Sequence, residues 1–340
     1  MRSFVPLRFY DIIGQYRRVR QRYLRQTPRM IDIELTGWCN ALAGPPPEAG
    51  PADAARVRMN QIPNMTSDVF FRLAGEIGRV RPDGLVILGG RGEPALHPQF
   101  FEWLEYLRDA LKLRVELRVS APVLTPEFRS EIIRFGVTSV VARARLIAPD
   151  SAGTEDKDAW ELAWHNLWQF AGEARQAGGR LQLTLLLDEQ PAPRNVLSSF
   201  FYRWIPVVGG IEIHQPRNSS GRAPAADTGR AAQRRPCPLV YGPATFRSDG
   251  TLVLCAADWA GQHPGGNIMN TDLEFLVRSL NSPQIYHRRG RAHLVPLCAH
   301  CRLWEDQLGR HQAAGNRIFR ESAFVRRYWN RELFTRRSDQ

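Results

Sequence analysis

The chain has 340 residues, a formal net charge of +12 at pH 7 and an apolar fraction of 43%, enough to fill the core of one large domain with a small one attached. No apolar run reaches the ~18 residues that a membrane-spanning helix needs. The first residues, MRSFVPLRFYDIIGQYRR, lack the uninterrupted apolar core and small-residue cleavage site of a signal peptide. The cysteines number five and form no disulfide framework, so a reducing, cytoplasmic location is expected. Almost all the positive charge is arginine, the lysines being Lys112 and Lys157. That charge allows nucleic-acid binding, but no nucleic-acid motif accompanies it.

Residues 4–25 pattern as an amphipathic helix. Phe9, Ile12, Ile13, Tyr16, Val19 and Tyr23 recur at helical spacing among Arg8, Arg17, Arg18, Arg20, Arg22 and Arg25. Packing on the main domain with a solvated arginine face is one reading. Contact with an anionic membrane surface or an acidic partner is the other.

Six strand–helix alternations follow. Strands are expected at Ile31–Leu35, Leu85–Leu88, Leu113–Val119, Ser139–Arg143, Leu181–Leu187 and Gly210–His214. Helices are expected at Thr66–Val80, Pro98–Ala110, Pro126–Phe135, Lys157–Ala177 and Leu197–Trp204. Regular alternation predicts a parallel sheet covered by helices. Six units are too few for a closed eight-stranded barrel, so an open, partial (β/α)6 barrel is expected, with ligands at the carboxyl ends of the strands. A Gly/Ala/Pro/Arg-rich linker at 217–235 then marks a boundary.

Four of the five cysteines lie beyond it. Cys237 and Cys255 flank a predicted hairpin whose turn is Ser248-Asp249-Gly250 and whose returning strand is Thr251–Leu254. Cys298-Ala-His-Cys301 is a tight chelating turn. A hairpin brings its ends together, so four thiolates can reach one point. Such a quartet takes a [4Fe–4S] cluster or a structural zinc, and a pair of disulfides is the alternative without metal. His263, His287, His293 and His300 fall in the same region and are expected as surface or supporting groups. Residues 316–337 again pattern as an amphipathic helix, with Phe324, Tyr328, Trp329 and Leu333 among arginines, either packed on the body or serving as a docking surface.

These motifs resemble the radical SAM family with a SPASM-type auxiliary-cluster domain. The first strand runs IELTGWCN, Ile33 to Asn40, and is similar to the family's strand leading into CxxxCxxC. The second ends in LGGRGEP, Leu88 to Pro94, followed by Ala95-Leu96-His97-Pro98. It is similar to the family's Gly-Gly-Glu-Pro motif, which binds the methionyl amino group of S-adenosylmethionine. The resemblance therefore implies Gly89, Gly90, Gly92 and Glu93 as cofactor-binding residues. Past the linker, C-x12-G-x4-C, a Gly266-Asn267-Ile268 step, a helix at Leu273 to Ser282 and C-x2-C resemble the short form of the SPASM domain. That implies one auxiliary [4Fe–4S] cluster on Cys237, Cys255, Cys298 and Cys301, with zinc as the alternative. The domains are then 1–29 helix, 30–216 partial barrel, 217–235 linker, 236–310 SPASM-like module and 311–340 basic helix.

The chain departs from the family where the chemistry sits. If Cys39 is the first ligand, the next two positions hold Ala43 and Pro46, which have no ligating side chain, and no other cysteine lies before Cys237. One thiolate cannot hold the cluster that binds the cofactor. The third strand ends in Val119-Ser120-Ala121-Pro122, and the fourth in Ala142-Arg143-Ala144-Arg145, which puts positive charge near the cofactor position. Glycines at 89, 90 and 92 are also what a tight turn demands, so cofactor binding and backbone geometry both explain them. The expectation is an iron–sulfur pseudoenzyme, a non-catalytic or electron-relay partner of an active radical SAM enzyme, a peptide or a biosynthetic intermediate. The alternatives are an S-adenosylmethionine-binding enzyme and a zinc-stapled binding module.

Overall fold

The computed structural model describes residues 28–38, 63–137, 139–145, 154–177, 180–186, 200, 203–204, 206–214, 236–258, 261–299, 301, 310–314, 317–321 and 325–330. The expected N-terminal helix, Cys39 with the loop carrying Ala43 and Pro46, the linker and most of the expected helix at Leu197–Trp204 lie outside these residues.

Strands β1 (Met30–Glu34), β2 (Leu85–Gly89), β3 (Arg114–Ser120), β4 (Ser139–Arg145), β5 (Arg180–Leu186) and β6 (Gly210–His214) pair in parallel, each with its neighbour in the chain. Between them run α1 (Ser67–Val80), α2 (Phe100–Glu105, continuing as a π turn over Tyr106–Ala110), α3 (Pro126–Arg134) and α4 (Thr154–Gln176). The α/β reading and its strand boundaries hold to within a residue or two. No helix among the described residues is long and apolar enough to cross a membrane.

The sequence explains each element locally. On α1, Val69, Phe70, Leu73, Ala74, Ile77 and Val80 are buried, the helical stripe that faces a sheet. The Oγ1 of Thr125 accepts from the Phe128 N–H at 3.3 Å, and Pro126 supplies the first helical residue of α3, a favoured start. On β1 the residues alternate. Ile31, Ile33 and Leu35 are in the apolar core, whereas Asp32, Glu34 and Thr36 are buried polar groups on the opposite face.

Two features of the architecture differ from the sequence reading. First, the cysteine module is not joined through a linker alone. Its strand β7 (Ala244–Phe246) pairs in parallel with β1, and β8 (Thr251–Val253) and β9 (Pro264–Asn267) continue the same sheet. Second, the expected C-terminal helix at 316–337 is replaced, where described, by strands. They are β10 (Arg310–Ala314), β11 (Arg317–Glu321) and β12 (Val325–Asn330), with β12 antiparallel to β6. Ile318, Phe319, Val325, Tyr328 and Trp329 are residue types favoured in strands, and β6 offers them an otherwise open edge. The result is one 12-stranded sheet in the order β10-β11-β12-β6-β5-β4-β3-β2-β1-β7-β8-β9.

The module carries α5 (Leu273–Ser279), α6 (Asn281–Arg288) and the short α7 (Pro296–Ala299). The expected helix at Leu273–Ser282 thus stops three residues early, and Asn281 and Ser282 begin the next one.

Candidate functional site

Two places carry the candidate chemistry: the turn after β2 and the cysteine module. The turn is built around the end of β1. Register places Glu34 opposite Gly89. Gly90 follows with φ +82, and a Cβ there would stand 2.6 Å from the Glu34 Cβ. At Gly92 a Cβ would stand 2.0 Å from the Thr36 carbonyl oxygen. The Glu93 N–H donates to the Trp38 carbonyl at 2.5 Å. These glycines are therefore required by close backbone packing of residues 90–93 on residues 34–38.

Every charged group of this turn already has a protein partner. The Arg91 guanidinium forms a bidentate pair with the Glu34 carboxylate, and both groups are buried. The Arg91 N–H donates to the same carboxylate at 3.3 Å, and the Ser248 N–H, from the hairpin turn of the cysteine module, at 3.4 Å. Glu93 is fully buried. Its Oε2 accepts from the Ser120 N–H at 2.7 Å and the Ser120 hydroxyl at 2.6 Å, and the Arg143 Nη2 lies 3.9 Å away. Burial pushes the Glu93 carboxyl upward, while the Arg143 guanidinium and the Ser120 bonds pull it back. The expected positive charge from the β4 end is thus provided by Arg143. The Arg145 side chain is outside the described set.

His97 belongs to the scaffold. Its Nε2–H donates to the Met65 carbonyl at 3.0 Å, and its Nδ1 accepts from the Gln99 N–H at 3.1 Å. Burial pushes its pKa down. Within the Ala95-Leu96-His97-Pro98 match, His97 is therefore explained by anchoring.

In the cysteine module the hairpin forms as expected. The Gly250 N–H donates to the Arg247 carbonyl at 2.9 Å, and Gly250 has φ +82. Asn267 explains the Gly-Asn-Ile step: its Nδ2 donates to the Asp249 carbonyl at 2.7 Å, and its Oδ1 accepts from the Met269 N–H at 2.9 Å. Ile268 beneath it is fully buried. After Cys255 the loop is closed by buried Asp258, whose carboxylate accepts from the Gln262 N–H at 2.8 Å and the His263 N–H at 3.0 Å.

Cys237, Cys255 and Cys298 are buried and Cys301 is half-buried. Cys237 precedes a short 3-10 turn, Cys255 follows β8, Cys298 sits in α7, and the Cys301 N–H donates to the Cys298 carbonyl at 3.2 Å. Burial pushes the Cys255 thiol well up, and Cys237, Cys301 and Cys298 each push it further. Each of the other three sulfurs thus bears electrostatically on Cys255. Among the described residues, no group of three or more His, Cys, Asp or Glu side chains is closed into a metal-holding arrangement. The donor set fits a soft metal or cluster in kind, since a cation is what makes buried thiolates favourable. Of the four histidines, His300 lies outside the described residues, and His287 is buried with its Nδ1 accepting from the Cys237 N–H at 3.1 Å.

The module is tied to β1 and α1 by groups that the sequence reading missed. Glu34 receives Ser248, and Glu76 of α1 accepts from the Leu273 N–H at 3.2 Å at the start of α5. The Arg79 bond is the main cause that lowers the Glu76 pKa. Alternation of acids with isoleucines in Ile31-Asp32-Ile33-Glu34 was the available signal for the first tie. Nothing local in the sequence marks the second.

No family model matches the chain, and no curated protein matches it. Solved structures do. A crystal structure of BtrN in complex with AdoMet and 2-DOIA is 14% identical, aligns over 81% of this chain and 92% of its own, and has a TM-score of 0.54. A selenomethionine BtrN in an open conformation is 12% identical over 81% and 92%, with a TM-score of 0.50. Streptococcus suis SuiB is 10% identical over 85% and 75%, with a TM-score of 0.47. At these identities the likeness is one of fold, and function has to be argued from the site.

Proposed function

We propose that this chain is an iron–sulfur protein of radical SAM/SPASM type that has lost the S-adenosylmethionine cluster and keeps one auxiliary [4Fe–4S] cluster. Cys237, Cys255, Cys298 and Cys301 hold it. The role is that of a non-catalytic or electron-relay partner in a maturation or biosynthetic pathway, acting beside an active radical SAM enzyme or on a peptide or intermediate. When bound, such a cluster supplies one-electron transfer.

The observation that carries the reading is the split in cysteines: Ala43 and Pro46 stand where thiolates are required, while Cys237, Cys255, Cys298 and Cys301 all fall in the module. At the turn after β2, Ser120 and Arg143 occupy only the Glu93 Oε2, and the buried Oε1 has no hydrogen-bond partner among the described residues. Anaerobic reconstitution with iron and sulfide tests the reading. About four irons per chain, as one [4Fe–4S] unit requires, and no reductive cleavage of S-adenosylmethionine are expected. About eight irons, or cleavage, would defeat it. Zinc without iron–sulfur absorbance would replace the cluster by a zinc staple and leave a binding module.

A second reading rests on the intact form of the turn. Residues 90–93 keep the tight packing on β1 that an adenosylmethionine site needs, and BtrN, of like fold, is seen with AdoMet. In this reading the chain is an enzyme that binds S-adenosylmethionine, with its cluster completed by a partner or with non-radical chemistry. Stoichiometric binding by calorimetry, abolished in Glu93→Ala, would favour it.

A further inference from the structure

The chain around the last two cysteines of the module is basic and has no acid of its own. From Phe275 to Trp304 it contains no aspartate or glutamate, yet carries Arg278, Arg288, Arg289, Arg291 and Arg302. Acids number 34 in 340 residues overall, so a stretch of this length without one is a local feature. The exposed centre of the stretch is the end of α6 and the 3-10 turn Ala292–Leu294. The Arg291 N–H donates to the Tyr286 carbonyl at 2.7 Å and the Gly290 N–H to the His287 carbonyl at 3.2 Å. Gly290 has φ +68, the glycine-capped ending that turns a chain back on its helix. Tyr286, Arg288, Arg289, Arg291, His293 and Leu294 are left exposed.

The inner side of the same segment meets the cysteines. Buried His287 accepts from the Cys237 N–H at 3.1 Å, and the Val295 carbonyl accepts from the Cys298 N–H at 2.9 Å. One turn of chain therefore separates these basic side chains from the cysteine backbone. The helix dipole alone favours arginine at a helix C-terminus, which accounts for Arg288 and Arg289. It does not account for Arg291 and His293, which lie past the helix. Among the described residues, none of Arg288, Arg289 and Arg291 has an ion-pair partner. The nearest acids in the chain, Asp272 and Glu274, lie at the start of α5 and act on Arg79 of α1.

We propose that this face docks a small acidic electron-carrier protein. Unpaired arginines attract and orient an acidic partner. Exposed Tyr286 and Leu294 supply the apolar contact that a protein interface sets among arginines. A second copy of a chain with net charge +12 brings the same sign and is repelled. That the partner carries electrons rests on the cluster reading, because the face overlies the cysteines. That it is an acidic protein rests on the surface alone.

Calorimetry of the full chain against two acidic carriers, a plant-type [2Fe–2S] ferredoxin and a flavodoxin, tests it. Phosphatidylserine vesicles serve as the competing surface. Saturable one-to-one binding of at least one carrier, weaker as salt rises, is expected. The triple variant Arg288→Gln, Arg289→Gln, Arg291→Gln weakens it by about tenfold or more. Removing equal charge from exposed Lys112, Arg114 and Arg134 by substitution to Gln changes it by less than about twofold. Leu294→Ser weakens it without altering its salt dependence. Absence of saturable binding of both carriers overturns the proposal. So does equal weakening by the two triple variants, which would mean attraction to overall charge only. Tighter association with the vesicles than with either carrier, lost in the Arg288, Arg289 and Arg291 variant, overturns it in favour of a lipid surface. Iron is counted on the same sample. Zinc in its place defeats the cluster reading, while the docking result still stands or falls on binding, because none of the substituted residues is a proposed ligand.

Discussion

The turn after β2 and the cysteine module lie on one sheet and handle buried polar groups in opposite ways. In the turn, each buried carboxylate is matched by a cation from the same chain: Glu34 by Arg91, and Glu93 by Arg143 with Ser120. The module holds three buried cysteines and a half-buried one, and burial together with the other three disfavours the Cys255 thiolate. The first arrangement pairs its charges within the protein, although the buried Glu93 Oε1 has no hydrogen-bond partner among the described residues. The second becomes favourable when a soft cation is bound.

Removing the metal should have the largest effect. Cys298→Ser, or stripping of native protein by a chelator, is expected to lower stability by about 4 kcal/mol or more, since binding energy in such sites is folding energy. Thermal melts with parallel metal analysis check this. Chelation without any change in melting temperature would break the contrast, because the module would then also be self-sufficient.

Next comes the pair that completes the turn. Glu34→Gln or Arg91→Met should each cost about 3 kcal/mol in urea denaturation, because each leaves one buried charge unmatched. The double variant should recover much of that loss. Additive losses would show that the two charges are not coupled.

Backbone packing is smaller and more local. Gly90→Ala should cost about 2 kcal/mol, since φ is +82 and Glu34 occupies the space. Gly75→Ala in α1, with nothing within 4 Å of the new methyl, should gain about 0.5 kcal/mol or more.

The smallest effect is in pH dependence. The Glu76 pKa is lowered below its ordinary 4.5, chiefly by the Arg79 bond. Its contribution is therefore fully present above that value and lost as pH falls through the folded value. Glu93 is shifted the other way by burial, so its contribution is present at low pH and lost as pH rises through its folded value. Glu76→Gln should lower stability by about 1 kcal/mol at pH 7 and flatten the decline below pH 4.5. An unchanged acid limb would remove Glu76 as the tie between α1 and α5.

Much of the fold is legible in the sequence because its strands and helices are locally consistent. Apolar alternation and helical spacing mark β1 to β6 and α1 to α4. The C-terminal strands were misread as a helix, since tyrosine, tryptophan and arginine at short spacing satisfy either period and the open edge of β6 decides between them. Residue 244 onward was legible as a hairpin through Asp249-Gly250, but its pairing with β1 is a non-local hydrogen-bond choice that no local signal encodes. In the site, the glycines and Glu93 were found through motif resemblance. The Arg91–Glu34 pair was not, because its partners are 57 residues apart.

The central claim is that the turn after β2 takes no cluster and the cysteine module takes one. Electron paramagnetic resonance of the anaerobically reconstituted, reduced chain, with iron and sulfide counted on the same sample, tests it most directly. One reduced [4Fe–4S] signal at about four irons per chain, unchanged by added S-adenosylmethionine and lost in Cys255→Ser, is the predicted result. A second cluster signal, a signal altered by S-adenosylmethionine, or no iron–sulfur signal at all would contradict it.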